Sequence, residues 1–71
     1  MSLGDVKKGN IIKIDKINDI DVKNYLIRFG IDIGSSVECL QRVFNGPVVI
    51  KYNRQEIALG KQIAQNILVT A

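Results

Sequence analysis

The stretch Leu26-Ile27-Arg28-Phe29-Gly30-Ile31-Asp32-Ile33-Gly34-Ser35-Ser36-Val37-Glu38-Cys39-Leu40 holds a helix end, a glycine-marked turn and a strand start in immediate succession. On its upstream side Val22, Tyr25, Leu26 and Phe29 recur at i, i+3, i+4 and i+7, a single apolar helical stripe. Gly30 then stands where a helix wants a left-handed residue after its last turn, a backbone that glycine adopts without a Cβ penalty. Gly34 allows a second reversal. Beyond it Val37, Cys39 and Val43 alternate with polar neighbours, as the residues of a half-buried strand do.

Outward from this segment the chain reads as strand-rich with one good helix. A lead-in ends at Lys8-Gly9-Asn10, and Ile11–Ile17 alternates isoleucine with charge, which predicts a first strand. Asn18, Asp19 and Asp21 supply cap chemistry for a helix over 22–29. A second strand is expected from Ser36 to Val43 or Phe44. Asn45-Gly46 then marks a hairpin, and Pro47 opens the third strand, where a missing donor costs least. Val48, Ile50 and Tyr52 share one face of that strand. Asn53-Arg54 is a two-residue turn into Gln55–Leu59, with Ile57 and Leu59 inward. Gly60 breaks the ladder, 61–66 makes a short second helix, and Ile67–Thr70 closes as a fifth strand. Five short strands leave edges to be closed or covered, so the expected class is mainly β, a small barrel. The expected core is Ile12, Ile14, Val22, Leu26, Phe29, Val37, Cys39, Val48, Ile50, Ile57, Leu59, Ile63, Ile67 and Val69.

A chain of 71 residues is read as a single domain over 1–71. One cysteine and no histidine exclude an internal disulfide and an ordinary zinc site, so the aliphatic core must supply the stability. There is no secretory apolar stretch near Met1 and no run of about 18 apolar residues, so no membrane span is expected. A lone thiol suits a reducing compartment, which makes the cytoplasm the expected location. Ten Lys and Arg against seven Asp and Glu leave a net charge of +3. Only Lys7-Lys8 are adjacent; the other basic residues are scattered among acids, unlike the concentrated face of a nucleic-acid binder.

In order, these landmarks resemble the ferrous iron transport protein A (FeoA) family. They are Phe29-Gly30-Ile31, Gly34, Gly46-Pro47, Ile57-Ala58-Leu59, Ala64 and Ile67-Leu68-Val69, preceded by Leu3-Gly4-Asp5-Val6-Lys7-Lys8-Gly9. The family reads roughly Leu-x-x-Leu-Gly-Ile-x-Pro-Gly, then Gly-Pro or Gly-x-Pro, then Ile-Ala-Leu, then Ala-x-x-Ile-x-Val. The likeness spans nearly the whole chain. Ile33 departs from the family's proline, Tyr25 from a common arginine, and Gly60 from a frequent basic residue. Those departures touch a partner surface more than the fold.

The resemblance implies an SH3-like β-barrel that is cytoplasmic, peripheral at the inner face of the membrane through its partner, and not an enzyme. It implies an accessory role in ferrous iron uptake by binding the membrane ferrous iron transporter, which carries a cytoplasmic G-protein domain. The residues themselves offer no histidine base and no assembled nucleophile, so no catalytic residue is assigned. No cofactor or metal ligand is assigned either: Cys39 reads as a small core residue, and Asp19 and Asp21 as caps. On a helical wheel Ile27 falls opposite the apolar stripe beside Lys23 and Arg28, so these three are the expected partner contact. Gly30, Gly34, Gly46 and Pro47 are assigned to structural turns.

Two alternatives belong to other classes. One is a small nucleic-acid-binding barrel, for which Arg42, Phe44, Lys51 and Tyr52 would have to form a basic stacking face. Tyr52 in phase with Val48 and Ile50 argues for core instead, and no nucleic acid is expected. The other is an SH3-like regulatory domain of a metal-dependent repressor, although no helix-turn-helix is read in a chain starting at Met1.

Overall fold

The computed structural model describes residues 1–70. After a 3-10 turn at Leu3–Asp5 the chain forms β1 (Ile11–Ile17), α1 (Ile20–Ile27) and β2 (Ser36–Arg42). β3 (Val48–Tyr52), β4 (Gln55–Leu59), α2 (Lys61–Gln65) and β5 (Ile67–Thr70) follow. The five strands make one antiparallel sheet in the order β4-β3-β2-β1-β5.

That sheet is open, which corrects the expectation of a closed barrel. β4 and β5 are its edges and do not pair. The link between them is folded into α2, which packs on the 3-10 turn and on β5. Leu3 and Ala64 are fully buried there, so apolar packing, not a β4–β5 ladder, closes the core beside β5. The edge of β5 is met by the N-terminus: Ser2 bridges to Leu68, and the Val69 N–H donates to the Met1 carbonyl at 2.8 Å. Register shifts between Ile14 and Lys16 on β1, and between Cys39 and Gln41 on β2, bend the sheet as bulges do.

α1 begins where Asp19 caps it, its carboxylate accepting from the N–H groups of Asp21 at 2.8 Å and Val22 at 3.4 Å. The helix therefore starts two residues before the expected 22–29 and ends at Ile27. Its exit is a Schellman turn. The Gly30 N–H donates to the Ile27 carbonyl at 2.9 Å, and the Ile31 N–H to the Leu26 carbonyl at 3.1 Å. Gly30 sits at φ +81°, the left-handed region that makes glycine the residue for this position. Leu26 and Ile31 are both fully buried, the apolar contact that accompanies this turn. Gly34 lies in the next turn at φ +94°, its N–H donating to the Ile14 carbonyl at 2.8 Å.

The two hairpins turn differently. Asn53 and Arg54 both have positive φ, 49° and 70°, the two-residue turn whose twist matches the strands. Between β2 and β3, Asn45 carries the left-handed backbone at φ 58°, and Gly46 does not. Gly46 answers to crowding, because a Cβ there would meet Val43 Cγ1 at 3.0 Å. Pro47 precedes β3, and its carbonyl accepts from the Val43 N–H at 3.1 Å.

The core takes most of its members from the expected faces: Ile12, Ile14, Val22, Leu26, Val37, Cys39, Val48, Ile50, Ile57, Leu59, Ile67 and Val69 are buried. Phe29 and Ile63 are only partly buried and pack on its border. Leu3, Val6 and Ile31 join it unexpectedly, and Ala64 joins it from α2. Val43, expected inward, is 55% exposed, because β2 stops at Arg42 and the irregularity at Leu40 resets the alternation.

Candidate functional site

The residues that the core leaves out define the surfaces a partner could use. On α1, Val22 and Leu26 are buried, and Tyr25 and Phe29 pack edge to face against the core's border, ring centroids 5.3 Å apart. Ile20 and Ile27 are left out, 68% and 47% exposed. They are seven residues apart, so two helical turns put them on one face. Lys23 lies about 40° around the helix from Ile27, and Arg28 about 100°. Lys23 is half-buried, and Arg28 is exposed. An apolar pair rimmed by cations can bury its isoleucines against a partner and favour an acidic one.

The expected contact of Ile27, Lys23 and Arg28 leaves out Ile20, because the expected helix begins at Val22. Of the cap candidates Asn18, Asp19 and Asp21 it is Asp19 that caps α1, which makes Ile20 the first helical residue, in phase with Ile27. Gly30 follows α1 three residues after Ile27, Gly34 precedes β2, and Gly46 and Pro47 lie between β2 and β3.

Elsewhere the chemistry is structural. Cys39 is fully buried, its thiol 4.0 Å from the Val6 carbonyl oxygen and 3.9 Å from that of Gln41. Burial pushes its pKa up, against the opposing pull of a backbone hydrogen bond at Gln41 and the charge of Arg42. Asp19 is engaged as the cap of α1. Among the described residues no group of three or more metal-ligating side chains converges, and no helix is long and apolar enough to cross a membrane. Arg42, Phe44, Lys51 and Tyr52 do not gather into a stacking face. Phe44 lies in the loop before β3 and is 85% exposed, whereas Tyr52 ends β3 and packs on the core.

The model of the FeoA domain family matches residues 1–71. No curated protein matches the sequence. Among solved structures, the crystal structure of an iron uptake regulatory protein (FeoA) is 21% identical, with a TM-score of 0.86 over 97% of this chain and 93% of that one. The solution structure of the FeoA protein from Chlorobium tepidum is 20% identical, with a TM-score of 0.84 over 97% and 68%. A ScaR structure with bound Cd2+ is 26% identical, with a TM-score of 0.86, covering all of this chain but 35% of ScaR. The chain thus spans about a third of that longer protein's length.

Proposed function

This chain belongs to the FeoA domain family, and from that premise we propose that it is a cytoplasmic accessory protein of ferrous iron uptake. It acts by binding the membrane ferrous iron transporter through the outer face of α1. The observation that carries the α1 assignment is the pair Ile20 and Ile27, exposed on one helical face beside Lys23 and Arg28. The two isoleucines supply desolvation at the centre of a small interface. The two cations steer it toward an acidic surface of the transporter's cytoplasmic G-protein domain, raising the association rate more than the affinity.

The family premise makes a catalytic reading unattractive, because FeoA domains are small accessory units. The likeness to ScaR supports a shared sheet and not a shared task, since this chain corresponds to only part of that protein.

The test is capture of the transporter from detergent-solubilised membranes under reducing conditions, followed by affinity measurement with purified components. Ile27→Asp and Ile20→Asp should retain the wild-type circular dichroism spectrum. Ile27→Asp should weaken binding by roughly 30-fold, the equivalent of about 2 kcal/mol at an interface hot spot. Raising the salt concentration should slow association. Two folded variants that bind as wild type would place the interface elsewhere, and no capture at all would remove the transporter as the partner.

A further inference from the structure

A second surface is independent of α1. The β2–β3 loop, the 3-10 turn and the exposed side of α2 frame a cleft of about 230 Å³ lined in part by Asp5, Arg42, Phe44, Asn45, Lys61 and Gln65. Small-molecule sites usually run roughly 300–1,000 Å³, so this volume takes one or two side chains better than a nucleotide.

The cleft is net positive. Among the described residues lining it, Arg42 and Lys61 outnumber Asp5, whose carboxylate accepts from the Ser2 hydroxyl at 3.0 Å. Arg42 is held in place, its Nε–H donating to the Gly4 carbonyl at 2.6 Å. That bond uses one of the five guanidinium N–H donors and leaves the terminal ones for a planar acceptor such as a carboxylate. Lys61 and Gln65 are four residues apart on α2 and so point from the same side. Phe44 is 85% exposed at the rim, more than any other large apolar side chain described. Arginine and aromatic residues side by side are the composition of interface anchors.

We infer that this cleft docks an acidic segment of a protein partner. A carboxylate side chain of that segment seats between Arg42 and Lys61, and a neighbouring apolar side chain packs on Phe44. Charge complementarity chooses the acid, the cleft volume limits it to side chains, and Phe44 supplies the apolar contact. The inference goes beyond the transporter reading and stands without it, because its test needs only this chain.

Titration of the full-length, 15N-labelled protein with the blocked peptide acetyl-Leu-Glu-Glu-Leu-amide, followed by NMR, tests it directly. Amide shifts should saturate in the millimolar range and centre on Arg42, Phe44, Asn45, Lys61 and Gln65. The glutamine counterpart, acetyl-Leu-Gln-Gln-Leu-amide, should bind roughly tenfold more weakly, the loss of a charge-assisted contact. Lys61→Gln should weaken the glutamate peptide while leaving the Arg42–Gly4 bond in place, and Phe44→Ser should weaken both peptides. Three results would each overturn the assignment: no saturable shifts, equal affinity for the two peptides, or shifts centred on α1 or on Lys7 and Lys8. Concentration-dependent shifts at Val43 and Phe44 without peptide would do the same, by making a second copy of the chain the occupant.

Discussion

Leu26 and Ile27 are neighbours on one helix with opposite fates, and truncating each to alanine separates core from surface in a single experiment. Leu26 is fully buried and backs onto Ile31 through the Schellman turn; Ile27 is 47% exposed. Leu26→Ala deletes the branched end of the side chain, which at about 0.8 kcal/mol per buried carbon costs about 2.4 kcal/mol in transfer free energy. The cavity left behind raises the loss toward roughly 3–4 kcal/mol. At roughly 0.05–0.15 kcal/mol per residue, a 71-residue chain has about 4–11 kcal/mol in all. Leu26→Ala therefore removes roughly a quarter or more of the stability, and Ile27→Ala less than about 1 kcal/mol. Urea unfolding followed by circular dichroism resolves the difference, since a slope of about 1 kcal/mol per molar puts the two midpoints about 2–3 M apart. Ile31→Ala should resemble Leu26→Ala, and the double variant should lose less than the sum, because the two side chains share one contact. A Leu26→Ala loss below about 1 kcal/mol, or an equal loss in Ile27→Ala, would refute this account of the helix.

Asp19→Ala should cost about 1 kcal/mol by removing the acceptor of the first free N–H groups of α1, read as a fall in the urea midpoint. Gly30→Ala should cost roughly 1–2 kcal/mol through the left-handed backbone alone, since the added Cβ would meet the Tyr52 ring only at an ordinary 3.8 Å; an unchanged midpoint would contradict this. The Cys39 thiol has a raised pKa in the folded chain, so the folded state holds its proton more tightly than the unfolded state. Its contribution is complete below the ordinary thiol value of about 8.5 and is lost as pH rises from there through the folded-state value. Cys39→Ala should flatten that alkaline part of the stability curve, and the wild-type thiol should react with iodoacetamide only as fast as the fold opens.

Much of this architecture could be read from the chain because the signals involved are local. β1, β4 and β5 were bounded by alternation and turn residues, and Asn53-Arg54 was a turn on its own chemistry. The inward faces followed from a period of 2 in the strands and 3.6 in α1. The order of glycine landmarks carried the likeness to the FeoA domain family. Even the exposure of Ile27 needed nothing beyond its angle to Leu26.

Where the reading departs from the structure, the deciding interactions join segments far apart in sequence. Leu3 and Val6 are buried because the N-terminal segment folds back beside β5 and under α2, a contact that no strand or helix period announces. Their spacing of three residues is the period of the 3-10 turn in which the segment begins, and it is too short a run to stand out. Val43 points out because a bulge pairs two residues of β2 against one of β3, which resets every position after it. Ile20 is the exception, since its place beside Ile27 follows from the local cap at Asp19. The cleft beside Phe44 draws on three separate segments of the chain. The openness of the sheet is the clearest case. Five strands can close into a barrel or stay open, and the alternation within each strand is the same either way. The chain alone determined which residues of α1 and of most strands face inward. Only the packing of α2 and the 3-10 turn beside β5 decided what covers them, because that choice compares a strand ladder with burial of Leu3 and Ala64, a competition between whole segments that no local pattern records.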